Sequence, residues 1–513
     1  MKILLSNPAC KSEINGKTEK FFVKAGSRWP YSEISEKVEG HRTTGTFPFF
    51  MAYTAAILLE EKHNVLVIDG CACNYSNDIF MEKVLEFDPD IHIMECTTPT
   101  ITNDLTVANS LQKKSRGKII LTGVHLTLFA QDLLKENPLI DFAVKGEYEL
   151  VCKELVKSIE SGVGEGYSHI KGLVYRDTFT GDVIDNGHSE MIHDLNILPM
   201  PAFKLFPTNG STDLDCYVGS PIIQHFPTMT LHASRGCPAH CDYCIFPQVL
   251  FGNHRYRKFS PERVVDEMEY LVREFKIKEI YFDDDAFNIN KAHVKEICDE
   301  IIRRGLDVKW SAMCVAFGTT EEMFEQMARA GCVGVTVGVE SGSEQILKNI
   351  RKPLKLDQVR NAVNWCVDRG IRTHGTFSFG LDGDTVDTME ATLKFAKELE
   401  FDSVQFSRTT PFPGTSYWDK LEAEGRVKFN EWSDFDGKNR SVVNNKFVTH
   451  DEIEAIADIA LREWFKYRIM RPKWVFRQIK LFLKSDRSTM FFYWKNLLHI
   501  LISKIIKQKI IRE

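Results

Sequence analysis

Cys237, Cys241 and Cys244 stand in "SRGCPAHCDYC", separated by three residues and then by two. Thiolates this close in sequence bind zinc or iron–sulfur clusters. A structural zinc site or a fully ligated cluster takes four protein ligands, and only three are local here. On the residues alone, two readings stay open. One is zinc completed by a distant ligand such as His240 or His254. The other is a [4Fe–4S] cluster with one iron left open for chemistry.

The elements around these cysteines say where they must sit. From Thr228 onward the sequence alternates strand and helix patterns, with strands expected at "TMTLHAS", "EIYFDD", "VKWSAM", "GVTVGVE", "THGTFSFG" and "SVQFSRT". Ser260 and Pro261 open one intervening helix as cap and first residue. Six such units over about 190 residues suit a partial (β/α)6 barrel, whose chemistry lies at the carboxyl ends of its strands. The cysteines follow the first of them. Asp283, Asp284 and Asp285 end the second strand, where helix capping or turn chemistry accounts for at least one of the three.

Ahead of the barrel, "KILLSN", "NVLVID", "DIHIMEC", "KIILTG" and "DFAVKG" alternate with helical segments, which predicts an α/β, doubly wound, Rossmann-like domain. Such sheets bind ligands beyond the carboxyl ends of their strands. Those ends carry Asn7, Pro8, Asp69, Thr97, Thr98, Gly123, His125, Gly146 and Glu147. No GxGxxG follows the first strand, so a dinucleotide is not indicated. The expected division is 1–150 for this domain, 151–205 for a helix, hairpin and linker, 206–430 for the barrel, and 431–513 for a helical, basic C-terminal region.

The 513 residues exceed what one core can hold, and a net charge of -6 offers no general case for nucleic-acid binding. Thirteen cysteines read as reduced thiols with some metal ligation rather than as a disulfide framework. Cys298 and Cys366 on helices, and Cys96, Cys314 and Cys332 near strands, read as small buried residues. Cys71 and Cys73 form a CxC at a strand end, too little to predict a second cluster. The short apolar run at the N-terminus and the lack of a spanning segment lead to an expected cytoplasmic location. Residues 471–513 carry eleven Lys and Arg against Asp486 and Glu513, interleaved with aromatic and aliphatic residues. Such a tail could cap the barrel or lie peripherally on an anionic membrane surface.

CxxxCxxC after a first barrel strand resembles the radical S-adenosylmethionine (SAM) superfamily. The resemblance implies a [4Fe–4S] cluster on Cys237, Cys241 and Cys244, with SAM as the missing ligand. It places Tyr243 near the adenine, Glu340 and Ser341 beside Gly342 near the ribose or methionine part, and Gly380 and Gly383 in a turn flanking the adenine. A carboxylate suits ribose hydroxyls or an ammonium. Asp284, at the neighbouring strand end, faces the same mouth and joins this SAM-binding set. Relatives often read WSA-x-x-R after the third strand, whereas this chain reads "WSAMCVAF", without the arginine. A SAM cleaved by such a cluster yields methionine and a 5'-deoxyadenosyl radical. The resemblance also implies a reductant such as flavodoxin or ferredoxin.

The doubly wound domain, with "GSRWP" at 26–30, "TFPFFMAYTAAILLEE" and "TGVHLTLFA" before "DFAVKGEYE", resembles the cobalamin-dependent class of that superfamily. The likeness spans roughly residues 1–430. It implies cobalamin held at the strand ends, with His125 in the position of the family's GGPH loop. The DxHxxG motif of many corrinoid carriers is absent, and His92 in "DPDIHIME" reads as structural. The leading expectation is methyl transfer to an unactivated carbon of a small molecule, polycyclic and hydrophobic in several relatives. One SAM would methylate Co(I), a second would give the radical, and the substrate radical would take the methyl group. The rivals are an oxidative cyclase like the anaerobic magnesium-protoporphyrin monomethyl ester cyclase, a non-catalytic corrinoid or redox sensor, and a zinc protein.

Overall fold

The structure, a computed structural model, describes residues 1–8, 11–14, 17–25, 29–34, 46–73, 75–162, 166–207, 217, 220, 222–436 and 441–484. The basic segment 485–513, and residues 26–28 of "GSRWP", lie outside the described residues.

The first domain opens with β1 (Lys2–Asn7) and an antiparallel meander, β2 (Lys11–Ile14), β3 (Lys17–Ala25) and β4 (Trp29–Ile34), that the sequence patterns did not announce. Then follow α1 (Phe49–Glu60), β5 (Asn64–Asp69), α2 (Asn77–Phe87), β6 (Ile91–Glu95), α3 (Ile101–Gln112), β7 (Lys118–Thr122), α4 (Val124–Glu136), β8 (Phe142–Val144) and α5 (Glu149–Glu160). The hairpin β9 (Leu173–Arg176) and β10 (Val183–Asp185) adds antiparallel to β8. The sheet order is β10-β9-β8-β7-β6-β1-β5, with β5, β1, β6, β7 and β8 parallel. Ile3, Leu4 and Leu5 of β1 are fully buried, as continuous apolar runs are in a strand covered on both faces. The order of strand addition reverses between β1 and β6, with the strands themselves parallel. The ligand crevice of such a sheet therefore opens between Asn7–Pro8 and Thr97–Thr98.

The six expected barrel strands form one parallel sheet in sequence order: β11 (Thr228–Leu231), β14 (Glu279–Phe282), β15 (Lys309–Cys314), β16 (Cys332–Glu340), β17 (Arg372–Phe379) and β18 (Ser403–Arg408). A small antiparallel ribbon, β12 (Ser234–Arg235) with β13 (Arg257–Lys258), lies between the first two. The helices are α6 (Pro261–Phe275), α7 (Lys291–Arg304), α8 (Glu321–Arg329), α9 (Glu344–Asn349), α10 (Leu356–Asp368), α11 (Val386–Glu398) and α12 (Ser416–Ala423). Ser260 Oγ accepts from Arg263 N, so the expected cap of α6 is present. Helices α13 (His450–Ile469) and α14 (Pro472–Lys484) follow, with α13 packed on α11 and β18. One apolar core runs from Ile3 and Phe50 to Val335 and Trp464, joining the two domains. Among the described residues no helix is long and apolar enough to cross a membrane.

Candidate active site

The cysteine loop, residues 236–256, is closed at its base by the β12–β13 ribbon, in which Arg235 pairs with Arg257. Gly236 has φ +87°, and a Cβ there would fall 2.1 Å from Arg255 O. The adjacent backbone is tied to the second strand's acidic triplet. Gly236 N donates to Asp285 Oδ2 at 2.7 Å, Ala233 N to Asp284 Oδ2 at 3.1 Å, and Ser234 Oγ to Asp284 Oδ1. Asp284, expected at SAM, thus holds the chain leading into the loop, and Asp285 holds its first residue.

Gln248, which no motif singled out, clamps the loop from the other side. Its Nε2 donates to the carbonyls of Cys241, Asp242 and Cys244 at 3.1, 3.0 and 2.9 Å. Its Oε1 accepts from Ser416 N and Oγ.

Burial raises the Cys237 thiol to about 11, and burial likewise raises Cys241 and Cys244. The three also act on one another electrostatically, so they share one neighbourhood. Among the described residues no three His, Cys, Asp or Glu side chains converge tightly enough for a single metal ion. Three thiols on one loop, each able to take its own iron, are the donor set of a [4Fe–4S] cluster with one iron left open. Buried thiolates need a compensating cation, and Lys352 supplies it by lowering both Cys237 and Cys241.

Lys352 is also the centre of the neighbouring polar site. Its Nζ lies 3.1 Å from Glu340 Oε1 and 3.5 Å from the Tyr243 hydroxyl. Burial alone would lower this ammonium, but Glu340 and the thiols outweigh it and hold Lys352 above its ordinary value. Ser378 Oγ donates to Glu340 Oε2 at 2.9 Å. Glu340 ends β16 at φ +70°, beside a register shift between Gly338 and Glu340. Such a conformation in a non-glycine residue is sustained by its surroundings and concentrates at functional sites.

Three of the residues expected at SAM have neighbours within the protein. Ser341 Oγ lies 3.2 Å from Thr392 Oγ1 and accepts from Ser343 N. A Cβ on Gly342 would fall 2.7 Å from Phe395 Cβ, so this glycine admits the close approach of α11. Gly380 faces Ile453 of α13 in the same way, at 2.8 Å.

At the first domain's crevice, Asn7 and Asp69 are register partners, and Asn7 Nδ2 donates to Asp69 Oδ1 at 3.4 Å. Tyr217 OH donates to Asp69 Oδ2 at 2.9 Å, and Cys71 Sγ to Pro8 O at 3.2 Å. Thr97 Oγ1 meets Thr100 Oγ1 at 2.9 Å, while Thr98 Oγ1 meets His125 Nδ1 at 3.3 Å. A Cβ at Gly123 (φ +117°) would fall 2.1 Å from Cys96 O, which fixes the turn into α4. The His125 ring lies between Phe129, tilted at 4.7 Å, and Trp432, edge-on at 4.9 Å. Trp432 belongs to a short turn, 432–434, that packs on Thr98–Thr100 and roofs the crevice. Among the described residues Asn7 Oδ1 is buried without a hydrogen-bond partner, a polar atom that an amide-rimmed corrinoid would satisfy.

Gly146 and Glu147 lie apart from this group. Gly146 packs on His188 and Ser189. Glu147 is buried between Arg235 at 2.8 Å and Arg257 at 2.6 Å, and accepts from Ile192 N. It stands in the junction between the domains. His92 is structural, its Nε2 2.7 Å from Ser6 Oγ within the sheet.

Residues 231–396 match the radical SAM superfamily, and residues 42–156 match a B12 binding domain. An uncharacterized methyltransferase of Pyrococcus horikoshii is 32% identical over 451 residues, covering 88% of this chain and 93% of that protein. The anaerobic magnesium-protoporphyrin IX monomethyl ester cyclase of Rubrivivax gelatinosus is 26% identical, covering 87% and 81%. Among solved structures, the radical SAM methyltransferase TsrM of Kitasatospora setae superposes with TM-score 0.62 at 18% identity, covering 82% and 75%. The cobalamin-dependent SAM radical enzyme OxsB superposes with TM-score 0.67 at 16% identity, covering 97% and 75%, and at these identities the likeness is one of fold. Together these domains imply a [4Fe–4S] cluster, SAM and cobalamin, and the chain belongs to the radical SAM enzymes that carry a B12-binding domain.

Proposed function

We propose that this enzyme transfers a methyl group to an unactivated carbon of a small-molecule substrate. The observation that carries the reading is the adjacency of a three-cysteine loop and a buried Glu340–Lys352 pair, the latter suited to the ammonium and carboxylate of SAM. The methyltransferase of P. horikoshii, at 32% identity, supports methylation over the cyclase, at 26%. When bound, the cluster would supply the electron that cleaves SAM, and the corrinoid would carry the methyl group. Cys237, Cys241 and Cys244 hold the cluster. Lys352 replaces the arginine missing from "WSAMCVAF", and Tyr243 and Glu340 complete the SAM contacts. Asn7, Pro8, Asp69, Thr97, Thr98 and His125 line the corrinoid crevice, and Trp432 keeps water from it. A flavodoxin or ferredoxin would deliver the electron.

The test is product stoichiometry in anaerobically reconstituted protein with candidate substrates. Methylation yields S-adenosylhomocysteine and 5'-deoxyadenosine together, one of each per product. Cyclisation without net methylation yields no stoichiometric S-adenosylhomocysteine, and that result would replace the reading.

A second reading concerns the α13–α14 surface. Trp474 Nε1 donates to Phe401 O, and Arg477 grips Asp402, so one face of α14 caps the barrel. The other face leaves Met470 at 78%, Phe476 at 70% and Leu483 at 68% exposed, among Lys466, Arg471, Lys473 and Lys480. Apolar residues rimmed by cations suit an anionic lipid surface. Co-sedimentation with vesicles of phosphatidylserine and phosphatidylcholine tests it: retention lost in Phe476→Ser supports contact, and no retention of the full chain removes it.

A further inference from the structure

The ion network between the two domains has a geometry beyond what docking requires. Arg235 Nη1 donates to Glu147 Oε1 at 2.8 Å and its Nη2 to Glu149 Oε1 at 2.7 Å, so one guanidinium bridges two carboxylates. Arg257 Nη1 donates to Glu147 Oε2 at 2.6 Å and to Ile192 O at 2.7 Å. The Arg235 guanidinium lies over Phe50 at 4.5 Å and Tyr53 at 5.3 Å, both on α1, while Arg257 lies over Phe251 of the cysteine loop at 4.9 Å. All four charged side chains are buried.

The placement of these groups is specific. Arg235 and Arg257 are register partners at the two ends of the loop that carries Cys237, Cys241 and Cys244. Glu147 and Glu149 sit on one β8–α5 turn of the B12-binding domain, where acids also suit the start of a helix. Two arginines facing each other across a ribbon repel unless anions lie between them. An apolar junction of the same volume would hold the domains at least as firmly as buried ion pairs do. What the pairs add is direction, because a guanidinium fork fixes distance and orientation to a carboxylate.

We propose that Arg235 and Arg257 are positioning residues that, through Glu147 and Glu149, register the cysteine loop against the B12-binding domain and so set the separation of cluster and cobalt. This rests on the two-cofactor reading above. The barrel alone holds the loop through Asp284, Asp285 and Gln248; the arginines add the reference to the other domain.

The test uses the full chain, loaded anaerobically with iron, sulfide and hydroxocobalamin, as wild type, Arg235→Lys, Glu149→Gln and Arg257→Lys. Iron and cobalt per chain are measured first, then the magnetic interaction between Co(II) and the reduced cluster by electron paramagnetic resonance. The ratio of S-adenosylhomocysteine to 5'-deoxyadenosine formed from SAM under reductant follows. The expected result is wild-type iron and cobalt, an altered interaction, and a ratio lower by about tenfold or more, the scale imposed by misplacement of about an ångström. Variants that hold both cofactors with interaction and ratio unchanged overturn the proposal. So does loss of folding in all three, which would make the network a folding element only. Wild-type protein that retains no cobalamin overturns the functional reading instead.

Discussion

Lys352 Nζ lies 3.1 Å from Glu340 Oε1, and both side chains are largely buried at the mouth of the barrel. The cation comes from beyond α9, whereas relatives often supply an arginine after the third strand. Exchanging it for a neutral side chain of similar length, Lys352→Met, would remove the proposed charged contact to SAM and leave Glu340 with Ser378 alone. The expected loss in SAM affinity is about 1.5–3 kcal/mol, roughly ten- to a hundredfold. Calorimetric titration of cluster-loaded protein with SAM checks it, and an unchanged affinity would take Lys352 out of the site.

Gln248 holds three carbonyls of the cysteine loop, those of Cys241, Asp242 and Cys244, through one amide. Gln248→Ala leaves them to find other donors, at a cost of about 1–3 kcal/mol. Iron should then pass to an external chelator faster than from wild type. Cys241→Ala, which removes a ligand, should abolish cluster loading altogether. Equal release rates for Gln248→Ala and wild type would show that the clamp does not guard the cluster.

Gly123 combines φ +117° with a would-be Cβ only 2.1 Å from Cys96 O. Gly123→Ala must shift the β7–α4 turn that presents His125. Strain and crowding together should cost more than about 2 kcal/mol. Denaturant unfolding measures the loss, and cobalamin retention should fall with it.

Burial pushes His125 down to about 3, so the folded protein keeps it neutral while the unfolded chain titrates near 6.5. Its contribution to stability is complete above pH 6.5 and is lost as pH falls from there toward 3. At pH 5 the loss is about 2 kcal/mol. Burial raises Glu279 to about 7, which works in the opposite sense: stability is lost as pH rises through the interval from the ordinary glutamate value to 7. Comparing His125→Phe with wild type cancels that term. The change in unfolding free energy between pH 7.5 and 5 should be smaller in the variant by about 2 kcal/mol, and equal changes would place His125 in a wetter environment.

The strands of both sheets were legible because parallel strands buried on both faces leave unbroken apolar runs, as in "KILLSN" and "GVTVGVE". Ser260 before Pro261 announced α6 by local chemistry alone. The meander at 11–34 was not legible, since "KSEI" and "KTEKFFVKA" carry no clean alternation. Glycines were legible only in part. Gly342 and Gly380 admit close approach, as their residue type implies, but a one-dimensional reading cannot say whether a cofactor or a helix approaches. Glu147 shows the same limit: it lies in the turn after β8, and its partners stand 88 and 110 residues away, beyond the reach of local pattern.

The sequence by itself determined the thiolate chemistry, the two α/β domains and the strand ends at which ligands must meet. All of these follow from residue type and short spacing, which act through local geometry. Only the tertiary structure decided which charges face one another: Lys352 with Glu340, Arg235 with Glu147 and Glu149, Trp432 over His125. Such pairings are made between elements far apart in the chain. Their energies depend on burial and angstrom-scale distance, and neither is written in the order of the residues.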